Sequence, residues 1–196
     1  MSATRDWITV VSGLPRSGTS LAMQMLRAGG MPILADDARA ADADNPAGYL
    51  EYAPVARTVR DASWIASAPG KAVKVIYALV RHLPPAYSYR VLWMRRDLRE
   101  MIASQQAMLA RSGAEPEDGL SRERLAEVFA QHVAETQAWI AQQPSFRLLA
   151  LDYAAVIGDP QRAAYEIDAF LGGGLDCVRM AAAVTPALYR QRQSGA

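Results

Sequence analysis

The sequence is poor in several features that would mark particular classes of protein. It contains a single cysteine, Cys177, so no disulfide can form within the chain, and a reducing compartment is expected. No apolar run is long enough to cross a bilayer, and no apolar leader precedes the first predicted strand. The formal net charge is only +1, so no overall basic field favours nucleic acid. These absences favour a cytoplasmic protein without a transmembrane segment or a nucleic-acid partner.

The chain has the length and the alternation of one α/β domain. Its 196 residues suit a single core, and we take residues 1–196 as one domain. Runs of β-favouring residues alternate with segments whose apolar residues recur at helical spacing. This alternation predicts a doubly wound, mostly parallel sheet of four to five strands flanked by helices, similar to phosphate-loop proteins. Predicted strands cover residues 8–11, 71–77, 89–94 and 146–151, and predicted helices include 53–66, 121–142 and 160–171.

The most informative stretch follows the first predicted strand. Gly13 and Gly18, followed by Thr19 and Ser20, have the spacing of a Walker A loop between a strand and a helix. Backbone N–H groups of such a loop and the N-terminus of the next helix favour a bound phosphate. Thr19 stands where a nucleotide triphosphatase has its lysine, and the nearest cation is Arg16 within the loop. The stretch predicts a phosphate site, although a helix cap with a glycine turn and no ligand would give the same pattern.

Residues 15–20 also resemble a known motif. They are similar to the 5′-phosphosulfate loop of the sulfotransferases, which use 3′-phosphoadenosine 5′-phosphosulfate (PAPS) and release adenosine 3′,5′-bisphosphate. Members carry Lys or Arg at the position of Arg16, and the tyrosylprotein and many bacterial members use Arg. The resemblance implies a catalytic role for Arg16. It also implies that the 5′-phosphosulfate contacts Pro15, Arg16, Ser17, Gly18, Thr19 and Ser20.

A second match lies at the end of the third predicted strand. Arg96, with Ser104 eight positions later on the next helix, resembles the pair that binds the donor's 3′-phosphate in sulfotransferases. An arginine at a strand end can bind a phosphate through two parallel hydrogen bonds. By itself, the run 95–97 could be a surface ion-pair cluster. Together with the loop at 13–20, the phosphate interpretation becomes the stronger one.

Several single residues match the family less closely. Tyr153 resembles a tyrosine beside the adenine, and Lys74 resembles a catalytic lysine that precedes the 3′-phosphate strand. Arg190 and Arg192 resemble basic residues that close over the 3′-phosphate. A competing interpretation makes Asp152 a Walker B aspartate that binds magnesium, and it loses most of its force without the Walker lysine.

The general base is the least determined part of the predicted site. The histidine of cytosolic sulfotransferases is not matched, because Ile76 occupies its position. The Arg-type tyrosylprotein members use a glutamate, and an ungapped count from Arg16 gives Asp37 that position. Glu51 and His82 are the other titratable residues near plausible cleft loops.

The resemblance implies a cytoplasmic sulfotransferase that acts on a hydroxyl or an amine by in-line displacement without a metal ion. The acceptor would contact the loops at 36–52 and 111–119, and small molecules, saccharides, lipids and peptides all remain open. An oligomer is possible. Two alternatives stay open: a nucleotide or small-molecule kinase with a degenerate Walker A loop, and a nucleotide-binding protein without catalytic activity.

Overall fold

The described part of the chain forms one parallel sheet. A computed structural model describes residues 5–36, 45, 48–112 and 121–185, with only the backbone between 107 and 112. Within these residues the strands are β1 (Ile8–Gly13), β2 (Ala72–Lys74), β3 (Tyr89–Arg95) and β4 (Phe146–Asp152). They pair in parallel in the order β2-β1-β3-β4. The predicted four to five parallel strands are therefore confirmed.

Helices cover both faces of this sheet. They are α1 (Thr19–Ala28), α2 (Leu98–Ser112), α3 (Arg122–Ala141), α4 (Tyr153–Gly158), α5 (Pro160–Phe170) and α6 (Cys177–Ala182). Residues of α1, α5 and α6 pack in one apolar cluster, whereas those of α3 pack in another. The doubly wound architecture is confirmed. No helix in the described ranges is long and apolar enough to cross a membrane.

The strands divide the core because successive side chains point to opposite faces. Val11 and Leu92 lie in the cluster beneath α1, α5 and α6, while Val10 and Val91 lie in the cluster beneath α3. All four side chains are fully buried. Burial on both faces is the expected state of parallel strands, and it explains their nearly continuous apolar sequences.

The predicted helix over residues 53–66 is wrong. The chain forms two separate 3₁₀ turns there, Ala53–Arg57 and Ser63–Ser67, and Val59 is 61% exposed instead of facing the core. Local side-chain bonds compete with the helix: the Thr58 hydroxyl donates to the carbonyl of Val55 and accepts from Nε1 of Trp64. The apolar residues that suggested one helix belong to two short turns: the first buries Val55, and the second buries Trp64 and Ile65.

The predicted strand over residues 71–77 is shorter than expected. Only Ala72–Lys74 pairs as a strand, and a 3₁₀ turn runs from Tyr77 to His82. Because all strands are parallel, the carboxyl ends of β1, β2 and β3 lie at one edge of the sheet, where α/β proteins bind ligands. The register pairs Gly13 with Met94 and Val11 with Lys74, so the first phosphate motif, Lys74 and Arg96 reach the same edge.

Candidate functional site

The loop between β1 and α1 has a backbone that suits an anion. Gly18 has φ 102° and directly precedes α1, and Arg16 has φ 64°, which is uncommon for a residue with a side chain. In the described part of the chain no side chain caps the first turn of α1, and that turn holds no acidic residue. The helix N-terminus therefore keeps its N–H groups and partial positive charge for a ligand.

Two glycines of this loop are needed for space as well as for conformation. A Cβ atom on Gly18 would lie 2.4 Å from the ring of Tyr153, and one on Gly13 would lie 2.6 Å from the carbonyl oxygen of Met94. The buried Oγ of Ser17 has no hydrogen-bond partner among the described residues. An unpartnered hydroxyl within a closely packed loop is a donor that a bound anion would satisfy.

Arg16 and Arg96 meet beside this loop. Nε of Arg16 donates to Oγ of Ser104 over 3.0 Å, and Nη1 of Arg96 donates to the carbonyl oxygen of Arg16 over 3.2 Å. The guanidinium of Arg96 also lies 4.8 Å from the ring centre of Tyr153. Four residues predicted from three separate motifs are thus linked by a chain of contacts.

Glu100 joins the same group. Its Oε2 lies 3.3 Å from Nε of Arg96, and the two side chains are only 8% and 9% exposed. The carboxylate of Asp97 accepts from the N–H groups of Arg99 and Glu100 and so caps α2. The position of Glu100, four residues after Arg96, makes it an ion-pair partner that the sequence also predicts for that arginine.

Lys74 supplies a third cation, from β2. Its Nζ donates to Oγ of Ser20, in the first turn of α1, over 2.9 Å and also donates to the carbonyl of Tyr49. Oε1 of Glu51 lies 3.5 Å from the same ammonium group, and Lys74 is 8% exposed. The phosphate loop has no lysine of its own, and Lys74 at the end of the neighbouring strand β2 places an ammonium group beside it.

Comparison with known proteins finds similarity in three-dimensional structure but not in sequence. The chain matches no protein-family model and no curated protein sequence. The sulfotransferase domain from the curacin biosynthetic pathway superposes with a TM-score of 0.54 at 14% identity, over 99% of this chain and 94% of that one. The sulfotransferase domain from the Synechococcus PCC 7002 olefin synthase gives 0.55 at 14% identity, over 98% and 90%. Retinol dehydratase, solved with androsterone and the inactive cofactor PAP, gives 0.52 at 16% identity, over 93% and 64%.

This chain has the sulfotransferase fold. The resemblance seen in the sequence motifs is confirmed at that level. The coverage extends over nearly the whole chain and nearly the whole of the first two domains, so the likeness is not limited to the phosphate loop.

Some predicted residues are not in the described part of this sulfotransferase fold. Asp37, Arg190 and Arg192 lie outside the described residues, as do residues 113–119 of the predicted acceptor loop. Asp36 is described: its N–H donates to the carbonyl of Glu51 over 2.8 Å, and its Oδ2 accepts from the N–H of Ala53 over 2.7 Å. Asp36 thus lies beside Glu51.

The two remaining titratable candidates differ in position. His82 is exposed at the end of the 3₁₀ turn at Tyr77–His82, whereas Glu51 lies next to Lys74. The carboxylate of Asp152 accepts from the N–H of Ala155 over 3.0 Å and caps α4. A helix cap accounts for an aspartate at this strand end, which the Walker B interpretation had assigned to magnesium.

Gln24 and Asn45 tie the segment before Glu51 to α1, and sequence analysis missed both. Nε2 of the buried Gln24 donates to Oδ1 of Asn45 over 3.0 Å and to the carbonyl of Gly48 over 3.2 Å. Nδ2 of Asn45 donates to the same carbonyl over 2.8 Å. A buried amide in the middle of an apolar helix face was the available signal, because such a group needs partners.

Proposed function

We propose that this chain transfers a sulfuryl group from PAPS to a hydroxyl or amine acceptor by in-line displacement without a metal ion. The observation that carries the proposal is the contact of Arg16, Arg96, Ser104 and Tyr153 beside a phosphate loop that lacks the Walker lysine. These residues come from three distant motifs that match sulfotransferases. A nucleotide triphosphatase has no need of a cation aimed at the ribose 3′ position.

The residues present fit the 5′ end of this donor. The unpartnered Ser17 hydroxyl, the uncapped N-terminus of α1 and the close-packed Gly18 form a cradle for a tetrahedral anion. In the proposal, Pro15 to Ser20 bind the phosphosulfate, with backbone N–H groups and the hydroxyls of Thr19 and Ser20 as donors.

The 3′ end of the donor would meet the second group of residues. Arg96 and Ser104 would bind the 3′-phosphate, and Tyr153, which already contacts Gly18 and Arg96, would lie beside the adenine. Arg190 and Arg192 stay predicted contacts of the same phosphate. Charge-assisted bonds from a guanidinium are the strong kind of phosphate contact, so Arg96 is the residue expected to matter most.

Charge stabilisation and proton removal complete the proposed mechanism. When bound, PAPS supplies the sulfuryl group and a bisphosphate leaving group. Arg16 and Lys74 would stabilise negative charge on the departing oxygen, and preorganised cations of this kind supply a large part of such catalysis. Asp37 is the residue predicted to accept the proton of the acceptor. A sulfuryl group carries less charge than a γ-phosphoryl group, so these cations can suffice without magnesium.

The acceptor is proposed only by class. It would be a small molecule, a saccharide, a lipid or a peptide that presents a hydroxyl or amine above the edge of the sheet. Segments 36–52 and 111–119 are the proposed acceptor segments, and the first two residues of the second are the end of α2 rather than the predicted loop. Lys74 contacts Ser20 as well as Tyr49 and Glu51, and so links the first segment to the phosphate loop. A cytoplasmic location stays a prediction.

A ligand-stability measurement tests the proposal. In EDTA, adenosine 3′,5′-bisphosphate at about a hundred times its Kd should raise the melting temperature by roughly 5–10 °C, because it binds only the folded state. Magnesium-ATP at the same concentration, in a buffer with magnesium and without EDTA, should raise it by less than about a third as much, since it lacks a 3′-phosphate. Differential scanning fluorimetry measures both shifts.

The same measurement separates the alternatives. An equal or larger shift with magnesium-ATP would favour a kinase, and no shift with either ligand would overturn the proposal. A shift with the bisphosphate but no turnover of PAPS with any acceptor class would favour a nucleotide-binding protein without catalytic activity.

A further inference from the structure

The carboxylate of Glu100 occupies an unusual place for an acid in a site built for anions. It lies 3.3 Å from Nε of Arg96, the proposed 3′-phosphate ligand, and both side chains are almost fully buried. Four residues on, at the next turn of the same face of α2, Ser104 accepts from Arg16. One face of α2 therefore contacts both Arg16 and Arg96, and the group that contacts Arg96 is a carboxylate.

Contacts other than the one with Glu100 also orient Arg96. Nη1 of Arg96 donates to the carbonyl of Arg16, and the guanidinium lies over the ring of Tyr153. Glu100 is itself positioned by the α2 cap, through the bond from its N–H to Oδ1 of Asp97 over 3.1 Å. Because backbone and ring contacts already hold Arg96, the distinctive contribution of Glu100 is its charge.

That charge has opposite effects on the empty and the occupied site. A buried guanidinium without an anion is costly, so Glu100 stabilises the empty protein. A 3′-phosphate on Arg96 brings a second anion to the same guanidinium, and like charges a few ångströms apart repel strongly in a poorly solvated site. Glu100 therefore weakens the occupied state while it stabilises the empty one.

We propose that Glu100 is a built-in counter-charge that limits the affinity for the 3′-phosphate and so promotes release of adenosine 3′,5′-bisphosphate. This inference rests on the proposed function, since it requires that Arg96 binds that phosphate. Glu100 is a positioning residue in this scheme: it acts on the product through Arg96 and touches no reacting atom.

Glu100→Gln tests the inference because it removes the charge and keeps an acceptor for Nε of Arg96. Calorimetry in EDTA should show adenosine 3′,5′-bisphosphate bound about tenfold more tightly, equivalent to about 1.4 kcal/mol. Affinity for adenosine 5′-monophosphate should change less than about twofold, as this ligand has no 3′-phosphate. The melting temperature of the empty variant should fall by roughly 3–6 °C. A residue with only a structural role would not tighten binding while destabilising the protein.

Two further variants complete the experiment. Glu100→Ala should also tighten bisphosphate binding, because Arg96 keeps its contacts with Arg16 and Tyr153. Glu127→Gln is the matched control, because it removes a carboxylate from an exposed Arg–Glu pair on α3. In that pair Nη1 of Arg124 lies 2.8 Å from Oε2 of Glu127. It should change neither affinity nor melting temperature appreciably.

Each other outcome is decisive. Weaker bisphosphate binding by Glu100→Gln, or loss of cooperative unfolding in both Glu100 variants, would mean that Glu100 only supports structure. Equal gains for both ligands, or the same gain from Glu127→Gln, would mean that the 3′-phosphate is not what Glu100 opposes. Failure of the wild-type protein to bind the bisphosphate would overturn the proposed function itself, which distinguishes the two failures.

Discussion

Arg96→Ala is expected to lose about 2–4 kcal/mol of binding free energy for adenosine 3′,5′-bisphosphate. The loss should be confined to that ligand: adenosine 5′-monophosphate and adenosine 5′-phosphosulfate should bind about as well as they bind the wild type. The reason is that the Arg96 side chain is the proposed 3′-phosphate ligand, while the 5′ end would lie on the N–H groups and hydroxyls of the loop before α1, which Arg96 contacts at the backbone carbonyl of Arg16. Ser104→Ala should show the same selectivity with a smaller loss. Calorimetry in metal-free buffer measures all three ligands.

Arg95→Ala is the matched control for this prediction. Arg95 is the neighbouring arginine, ends β3 and is exposed, so its removal changes the net charge equally without touching the site. It should alter bisphosphate affinity by less than about threefold. If Arg96→Ala lowered the affinity for all three ligands equally, or for none of them, the role of Arg96 would be limited to its ion pair with Glu100. The proposal would then have no 3′-phosphate site.

The second large effect concerns the general base. Asp37→Asn should lower turnover by roughly a hundredfold or more, since the amide cannot accept the proton of the acceptor. Affinity for the donor should stay nearly intact, because the phosphosulfate would be bound by the loop and not by Asp37. Steady-state turnover and calorimetry on the same variant separate these two effects.

Three comparisons make the assignment specific. Asp36→Asn is the adjacent control: its carboxylate oxygen is used by the N–H of Ala53, and an amide oxygen can accept the same bond. Its turnover should stay within about threefold of the wild type. Glu51→Gln and His82→Gln test the rival bases. Near-normal turnover in Asp37→Asn beside an inactive Glu51→Gln would transfer the role to Glu51, which lies 3.5 Å from Lys74.

Much of the site was predictable because parallel strands impose their own geometry. Once β1 and β3 are recognised as adjacent parallel strands, Gly13 and Arg96 must reach the same edge of the sheet. Ser104 lies on α2, the helix that follows β3. The contact of Arg16 with Ser104 is thus a consequence of local motifs placed by a regular sheet. The fold class followed from alternation of strand and helix patterns for the same reason.

Other parts of the site depend on packing that no local pattern encodes. Lys74 was assigned by resemblance, but its bonds to Ser20 and Tyr49 exist because β2 pairs beside β1 and because Gln24 holds the segment before Glu51. The failure over 53–66 has a different origin. Apolar spacing there suggested a helix, whereas the hydroxyl of Thr58 forms local hydrogen bonds with Val55 and Trp64 that compete with helix formation.

A crystal structure of the chain with adenosine 3′,5′-bisphosphate, grown without metal ions, tests the proposed donor site most directly. The 5′-phosphate should lie on residues 15–20 at the N-terminus of α1, which has no side-chain cap within the described residues. The 3′-phosphate should lie within about 3 Å of the Arg96 guanidinium and the Ser104 hydroxyl, and the adenine beside Tyr153. A nucleotide bound with its 3′-phosphate turned to solvent, away from Arg96, would contradict the proposed function.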